Sequence, residues 1–189
     1  EIIKKCFKDL RKRGCTVGMN VWPSLNLYPV EKFYFPNMPK MVGIDGAVLE
    51  DLACPTSKEI SDFLCQKYTV LAKGDPDFIW VDDDFRFTHL GGEYPCFCKE
   101  CVKGFKNGIF KNREELAKKL ELPENRQLRV EWCSYGADRL AKLCSDLRAA
   151  VDKVNPNIDM GLMTVGATHT TFSGDYIEKC MKALRSRRG

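Results

Sequence analysis

The chain has 189 residues, of which 44% are hydrophobic and 30% charged. This composition is typical of a folded globular protein rather than a disordered or fibrous one. Its 30 basic and 26 acidic side chains leave a net charge of +4, which is too small an excess to predict nucleic-acid binding. No apolar run approaches the roughly 18 residues that a membrane helix requires. We therefore expect neither a nucleic acid nor a membrane as a partner.

Hydrophobic periodicity and breaker residues divide the chain into alternating elements. In chain order these are a helix over 2–13, a strand over 15–22, a helix from about 57 to 73, a strand over 77–81, helices over 99–107, 112–121 and 125–154, a strand over 158–165 and a helix over 175–185. Four prolines interrupt residues 23–53, which we expect to be irregular. Because strands alternate with helices, the pattern predicts an α/β fold with a parallel sheet.

Two of these helices carry capping signals at their start. Thr56 or Ser57 is expected to cap the helix that ends near residue 73, since their hydroxyls accept hydrogen bonds from first-turn N–H groups. Asn112 with Glu115 forms a similar signal for the helix over 112–121, in the arrangement of a capping box.

Three consecutive aspartates, Asp82, Asp83 and Asp84, follow a short buried strand. Side chains alternate along a strand, so Trp80, Asp82 and Asp84 are predicted to share one face. Two ionised carboxylates on one face repel, and one of them is then expected to hold its proton to a higher pH. The cluster is consistent with an acid/base site, with a Mg²⁺ or Ca²⁺ site, or with a solvated acidic turn in which Arg86 is the counter-ion.

A cysteine-rich loop is predicted at residues 94–103, and it holds Cys96, Cys98 and Cys101. Three thiolates in a C-x-C-x2-C pattern can wrap one metal ion, and structural zinc takes four ligands. Cys54, in a loop-to-helix turn, is the preferred fourth ligand, with His89 as the alternative. Free thiols or a redox pair are the competing interpretations. The sequence therefore predicts a structural zinc as cofactor.

The other six cysteines are expected to be buried free thiols, because they lie singly in apolar-periodic segments. They are Cys6, Cys15, Cys65, Cys133, Cys144 and Cys180. Free thiols beside a zinc–thiolate site favour a reducing, cytoplasmic interior. The chain begins at Glu1 rather than Met, so we expect a processed protein or a piece of a longer one.

The order of these motifs resembles glycoside hydrolase family 42, whose β-galactosidase-like members have a catalytic (β/α)8 barrel. The motifs that carry the resemblance are Cys54-Pro55-Thr56-Ser57, Asp75-Pro76-Asp77-Phe78-Ile79-Trp80-Val81-Asp82-Asp83-Asp84 and Cys96-x-Cys98-x2-Cys101-x3-Phe105. The resemblance covers about residues 14–165. It implies that residues 1–189 form a single partial (β/α)8 TIM-barrel domain with about strands three to five.

The resemblance also implies roles for individual residues. Cys54, Cys96, Cys98 and Cys101 correspond to a zinc site found in some members of that family. Asp84 falls at the family's acid/base Glu, Asp83 falls at its Asn, and Asp82 would tune the pKa of Asp84. Both matched positions depart from the family, because Asp is shorter than Glu and adds a charge where the family has an amide. The candidate substrate-binding residues are Asn20, Trp22, Arg86 and His169, with Trp80 as a second aromatic that could stack on a sugar ring.

A retaining glycosidase needs two carboxylates, and in that family the nucleophile follows a later strand. We therefore expect a glycoside hydrolase fragment that acts on carbohydrate only within its parent protein and is inactive alone. The alternatives are a non-catalytic carbohydrate-binding barrel and a zinc-stabilised interaction module. Three barrel strands would leave sheet edges unpaired, so we expect oligomerisation of the chain with itself.

Overall fold

The structure is a computed structural model that describes residues 1–87, 94–166 and 176–186. The helices are α1 (Ile2–Lys12), α2 (Pro29–Tyr34), α3 (Lys58–Ala72), α4 (Lys99–Gly104), α5 (Arg113–Glu121), α6 (Arg126–Asp152) and α7 (Tyr176–Leu184). The strands are β1 (Gly18–Val21), β2 (Lys40–Val42), β3 (Val48–Ala53), β4 (Phe78–Val81) and β5 (Asp159–Leu162). No helix within these described ranges is long and apolar enough to cross a membrane.

Local signals place the helix starts where the sequence predicts them. The Ser57 hydroxyl accepts a hydrogen bond from the backbone N–H of Ile60 at 3.2 Å and caps α3. The Asn112 side chain accepts from the N–H of Glu115 at 2.9 Å, and the Glu115 carboxylate accepts from the N–H of Lys111 at 2.8 Å. The bonds to Ser57 and Asn112 satisfy first-turn donors that have no partner within the helix. The bond to Glu115 instead satisfies the N–H of the residue before the cap. Both capping predictions are confirmed.

Three short parallel strands form the central sheet in the order β1-β4-β5. Asn20 of β1 pairs with Trp80 of β4, which pairs in turn with Gly161 of β5. The sequence places a helix between each strand and the next one in the sheet, because parallel strands need a crossover. The predicted parallel sheet with helical crossovers is confirmed.

One face of the central sheet is buried in the core, and the other is partly exposed to solvent. Ile79 and Val81 are fully buried in the core, whereas Phe78 and Trp80 point the other way and Trp80 is 41% exposed. These rings lie across glycines on the flanking strands. A Cβ at Gly18 would lie 2.1 Å from the Phe78 ring, and one at Gly161 would lie 2.3 Å from the Trp80 ring. The two glycines are therefore required by the close approach of the aromatic side chains.

The prediction that the chain forms part of a (β/α)8 barrel is wrong. The described residues form a small α/β domain with a three-stranded parallel sheet and a separate two-stranded antiparallel sheet, β2-β3. The barrel was implied by the family resemblance alone, because parallel strands with helical crossovers build open sheets as well as barrels and periodicity does not distinguish the two. The same correction removes the partial barrel from the predicted domain description for 1–189.

The expectation that residues 23–53 are irregular is also wrong, because α2, β2 and β3 lie there. The hairpin turn contains Asp45, whose carboxylate accepts from the Ala47 N–H at 2.9 Å, and Gly46 at φ 92°. Asp-Gly is a hairpin signal. The four prolines led to the prediction of an irregular segment, although none of them lies within β2 or β3.

An aromatic cluster ties α6 to the segment before α4. The Trp132 side chain is fully buried, and its ring centroid lies 5.0 Å from those of Phe97 and Phe105 and 5.5 Å from that of Tyr135. Aromatic pairs at these separations contribute beyond the area that they bury. Phe97 lies between two of the clustered cysteines, so this packing fixes the cysteine-rich loop on the longest helix.

Candidate metal centre and acidic strand end

The four cysteines predicted as metal ligands, Cys54, Cys96, Cys98 and Cys101, lie together. Their sulfur atoms all fall within 4.8 Å of one another. The Cys54 Sγ lies 3.8 Å from the Cys98 Sγ and 3.7 Å from the Cys101 Sγ. A tetrahedral zinc with Zn–S bonds of about 2.3 Å separates its sulfur ligands by about 3.8 Å. The four cysteines could therefore hold a metal ion such as zinc.

Two distant parts of the chain bring these sulfurs together. Cys54 directly follows β3, and its N–H donates to the carbonyl of Pro39 at 2.8 Å. The other three ligands flank or begin α4. Phe97 fixes their loop, since its N–H donates to the Val42 carbonyl at 2.8 Å and its ring packs on Trp132. The end of the β2-β3 pair and α6 thus position the two halves of the cluster.

Further groups contact the sulfur atoms from outside the ligand set. The backbone N–H groups of Val42 and Cys98 each lie 3.4 Å from the Cys96 Sγ. The Thr56 hydroxyl lies 3.0 Å from the Cys54 Sγ and 3.2 Å from the Cys101 Sγ. Such donors stabilise thiolate charge and orient metal ligands. The sequence indicates Thr56 only as a possible helix cap, and its position two residues after Cys54 is the signal that could have predicted this contact.

Three of the four cysteines are buried, and Cys98 is half-buried. Cys54 and Cys96 are 1% exposed and Cys101 is 3% exposed. The hydrogen bond from Cys101 holds the pKa of Cys98 far below its ordinary value, and contacts with the other two cysteines lower it further. The hydrogen bond with Cys54 raises the pKa of Cys101. Four ionised thiols in this small volume would repel strongly, and a divalent cation is the charge that compensates them.

The remaining cysteines are free thiols, as predicted, but they differ in burial. Cys144 and Cys180 are fully buried, and the expectation is confirmed for them. Cys65 is half-buried, and burial raises its pKa. Cys6 and Cys15 are exposed, so the prediction of burial is wrong for both. The periodicity of α1 predicts an apolar face, but it does not show whether another element covers that face, and no residue of α1 is buried.

Two of the three clustered aspartates are buried and hydrogen-bonded. The Asp82 Oδ1 accepts from the Asn20 side-chain amide at 2.9 Å. The Asp84 Oδ2 accepts from the backbone N–H groups of Ser24 at 2.7 Å and Asn26 at 2.9 Å. Asp84 therefore holds the segment after β1 against the end of β4. Neither backbone donor was identified from the sequence, because these contacts join positions about sixty residues apart.

The Asp84 carboxyl is 1% exposed, and its second oxygen has no hydrogen-bond partner among the described residues. Burial raises the pKa of Asp84, and the two backbone hydrogen bonds oppose this rise only in part. The negative charge of Asp82 also raises the pKa of Asp84, but its effect is smaller than that of burial. The direction agrees with the expectation that one carboxyl of the cluster keeps its proton to a higher pH, although burial is the larger cause.

The third aspartate and Trp22 lie nearer the surface, whereas Arg86, another predicted sugar contact, is buried. The Asp83 carboxylate pairs with Arg86 at 3.1 Å, and the Asp83 side chain is 42% exposed. Arg86 is buried and also donates to the Asp83 carbonyl. Trp22 is 58% exposed and packs on Tyr28 with ring centroids 4.5 Å apart. His169, and the alternative zinc ligand at residue 89, lie outside the described residues.

Asn20 and Asp82 thus meet at the carboxyl ends of β1 and β4, and Trp22 directly follows β1 in the chain. This is the edge at which open α/β sheets bind ligands. Comparison with protein-family models and with curated proteins gives no match for this chain. The chemistry of the two residue clusters is therefore the basis for any functional conclusion.

Proposed function

We propose that this chain is a zinc-stabilised α/β domain in which one structural zinc is held by Cys54, Cys96, Cys98 and Cys101. The observation that carries the proposal is the packing of four sulfur atoms within 4.8 Å of one another. Zinc with four protein ligands has no open position for a substrate, and such sites are structural. The ion would join the end of β3 to the start of α4.

Three features support zinc as the ion held by the four cysteines. All four ligands are soft sulfur donors, the set that selects zinc or iron–sulfur chemistry over magnesium or calcium. The sulfur–sulfur separations of 3.7 and 3.8 Å fit tetrahedral coordination of one ion. The N–H and hydroxyl contacts at Cys96 and Cys54 match those that support ligated thiolates.

Metal content tests the proposal directly. We expect about one zinc per chain after purification without chelator, and a cobalt-substituted protein with the visible absorption of a tetrahedral thiolate site. Cys98→Ser should lose both signals. The matched control is Cys65→Ser, which changes a half-buried thiol on α3 and should keep both. A chain without metal, or equal metal in the two variants, would contradict a four-cysteine site.

A second candidate function is carbohydrate processing, as in the glycoside hydrolases that the motif order resembles. What supports it is the grouping of Asp82, Asp84 and Asn20 at the strand end beside the exposed Trp22. Burial raises the pKa of Asp84, as a proton donor requires. Because Asp84 is 1% exposed, a sugar would first contact Asp83 and Trp22. The chain would bind sugar here without hydrolysing it, as a part of a larger enzyme.

Sugar binding is tested by tryptophan fluorescence and ligand-observed NMR with lactose and an aryl β-galactoside. We expect binding without turnover, and loss of binding in Trp22→Ala, since aromatic faces stack on sugar rings. Phe33→Ala is the control, because Phe33 is a similarly exposed aromatic on α2. Absence of binding, or equal binding by both variants, would remove the carbohydrate hypothesis and leave the zinc proposal intact.

A further inference from the structure

A cavity of about 550 Å³ lies beside the cysteine cluster, between β2, α4 and the start of α5. Its floor is apolar. Phe97 and Val102 are 2% and 3% exposed, and Val42 and Phe110 are half-buried at its sides. Pockets of 300–1,000 Å³ with mostly apolar walls are typical of small-molecule sites. The volume and lining therefore fit a compact organic molecule.

The cavity is also lined by cations. Lys99, Lys103 and Lys111 belong to its lining, they are exposed, and none of them has an ion pair within the described residues. Arg113 also lines the cavity and donates to the Ile44 carbonyl at 2.5 Å. None of the described lining residues is a carboxylate, and Cys98 is the one thiolate among them, whose charge a bound zinc would compensate. The charge that complements this rim is negative.

A second depression of the surface is also lined by basic residues. It lies between α1 and the end of α3 and has a volume of about 830 Å³. Its Arg11 is already paired with Asp77 at 2.7 Å, and Asp75 contributes a negative charge to its lining. It also lacks the buried aromatic floor. Within the described residues Lys4 and Lys8 of the larger depression have no ion pair either, so the distinguishing feature of the cavity beside the cysteines is a buried aromatic floor beneath its cations.

We propose that the cavity floored by Phe97 and Val102 and rimmed by Lys99, Lys103 and Lys111 binds a small organic anion that carries an aromatic or aliphatic body. The apolar body lies on the floor, where its burial supplies affinity. The carboxylate, sulfonate or phosphate stays at the lysine rim, where the charge fixes orientation. This inference does not depend on the carbohydrate hypothesis, and its site is separate from the aspartates.

The probe is 8-anilinonaphthalene-1-sulfonate, an aromatic anion, titrated into the zinc-loaded full chain and followed by fluorescence. We expect one strong site per chain, with binding weakened about tenfold in Lys103→Glu/Lys111→Glu, since two favourable contacts become repulsive. The matched control is Lys4→Glu/Lys8→Glu, an equal charge change in the second depression, and it should bind as the parent does. Equal weakening in both double variants would overturn the proposal, because the effect would then be one of net charge.

Two further measurements separate the contribution of the apolar floor to probe binding from that of the lysine rim. Phe110→Ala should weaken the probe several-fold while leaving every lysine in place, and no effect would overturn the apolar floor. N-phenyl-1-naphthylamine, which has the same rings without the sulfonate, should bind at least several-fold more weakly than the anion. Displacement of the probe by an acidic peptide but not by 1-naphthoate would identify a protein segment as the occupant and would overturn the proposal. Far-UV circular dichroism and zinc content confirm that each variant folds.

Discussion

Removing the metal should destabilise the whole domain by a predictable amount. A zinc ion bound to Cys54 and Cys98 joins positions 44 residues apart. By the loop-closure relation for cross-links, a loop of this length restricts the unfolded chain by about 4 kcal/mol at 25 °C. The metal acts as such a cross-link as long as it stays bound to both cysteines in the unfolded chain. An ion that binds the folded protein alone stabilises it by mass action instead, and contributes about the same free energy at roughly 1,000 times its Kd. We therefore expect the free energy of unfolding to fall by about 4 kcal/mol in the metal-free chain.

Urea denaturation measures this change. For a domain of this size the dependence of stability on urea is about 2.5 kcal/mol/M, so the midpoint should fall by about 1.5 M when a chelator is added. Circular dichroism and tryptophan fluorescence should give coincident transitions, which tests the two-state assumption. A non-thiol reductant keeps the cysteines from forming disulfides during the titration.

Matched cysteine variants then distinguish a metal effect from a thiol effect. Cys98→Ser should unfold near the metal-free midpoint with or without chelator. Cys65→Ser should keep the shift of about 1.5 M, since Cys65 lies on α3 and is not part of the cluster. An unchanged midpoint on chelation, in protein shown to contain zinc beforehand, would refute the reasoning that the ion cross-links the fold.

Three smaller perturbations test other parts of the structure. Asp84→Ala leaves two buried backbone N–H groups without an acceptor and should cost about 2–4 kcal/mol in urea denaturation, whereas Asp84→Asn should cost less. Because burial raises the folded-state pKa of Asp84 above 3.8, its carboxyl should reduce stability as pH rises from 3.8 through that pKa, and Asp84→Asn should flatten this slope in zinc-free protein. Asp77→Asn should cost only about 0.5 kcal/mol at pH 7, because its contact with Arg11 is partly exposed. The Arg11 contact lowers the pKa of Asp77 below 3.8, so this contribution should vanish as pH falls through that lowered pKa, and persistence below it would contradict the assignment. Gly136→Ala should lower the thermal midpoint despite better helix propensity, since its Cβ would lie 2.5 Å from the Pro95 ring.

Much of the local structure follows from the sequence. The predicted helices and strands outside 23–53 all occur, although several are shorter at their ends. Ser57 and Asn112 cap their helices as expected, because a cap depends only on residues within one turn. The cysteine ligand set could also be inferred, since three of its members lie within six residues and metal chemistry requires a fourth.

The acidic strand end was predicted only in part. The order of residues placed Asp82 and Asp84 after β4, and it indicated that one carboxyl would keep its proton. It did not show that Asp84 accepts hydrogen bonds from the segment after β1, because the donors are 58 and 60 residues away. Nor did it show that burial, more than the neighbouring charge, raises the pKa. Both facts depend on contacts between distant parts of the chain.

The sequence by itself determined the positions of the secondary-structure elements outside 23–53, two helix caps and the residue types available for a metal site. These are set by contacts within a few residues, by periodicity and by ligand chemistry. Tertiary structure decided that the strands form an open three-stranded sheet rather than part of a barrel, and that Val42 and Thr56 contact the cysteine sulfurs. It also brought Lys99, Lys103 and Lys111 to the rim of one apolar cavity. The physical reason is that packing joins residues far apart in the chain, and their local patterns do not specify which of them meet.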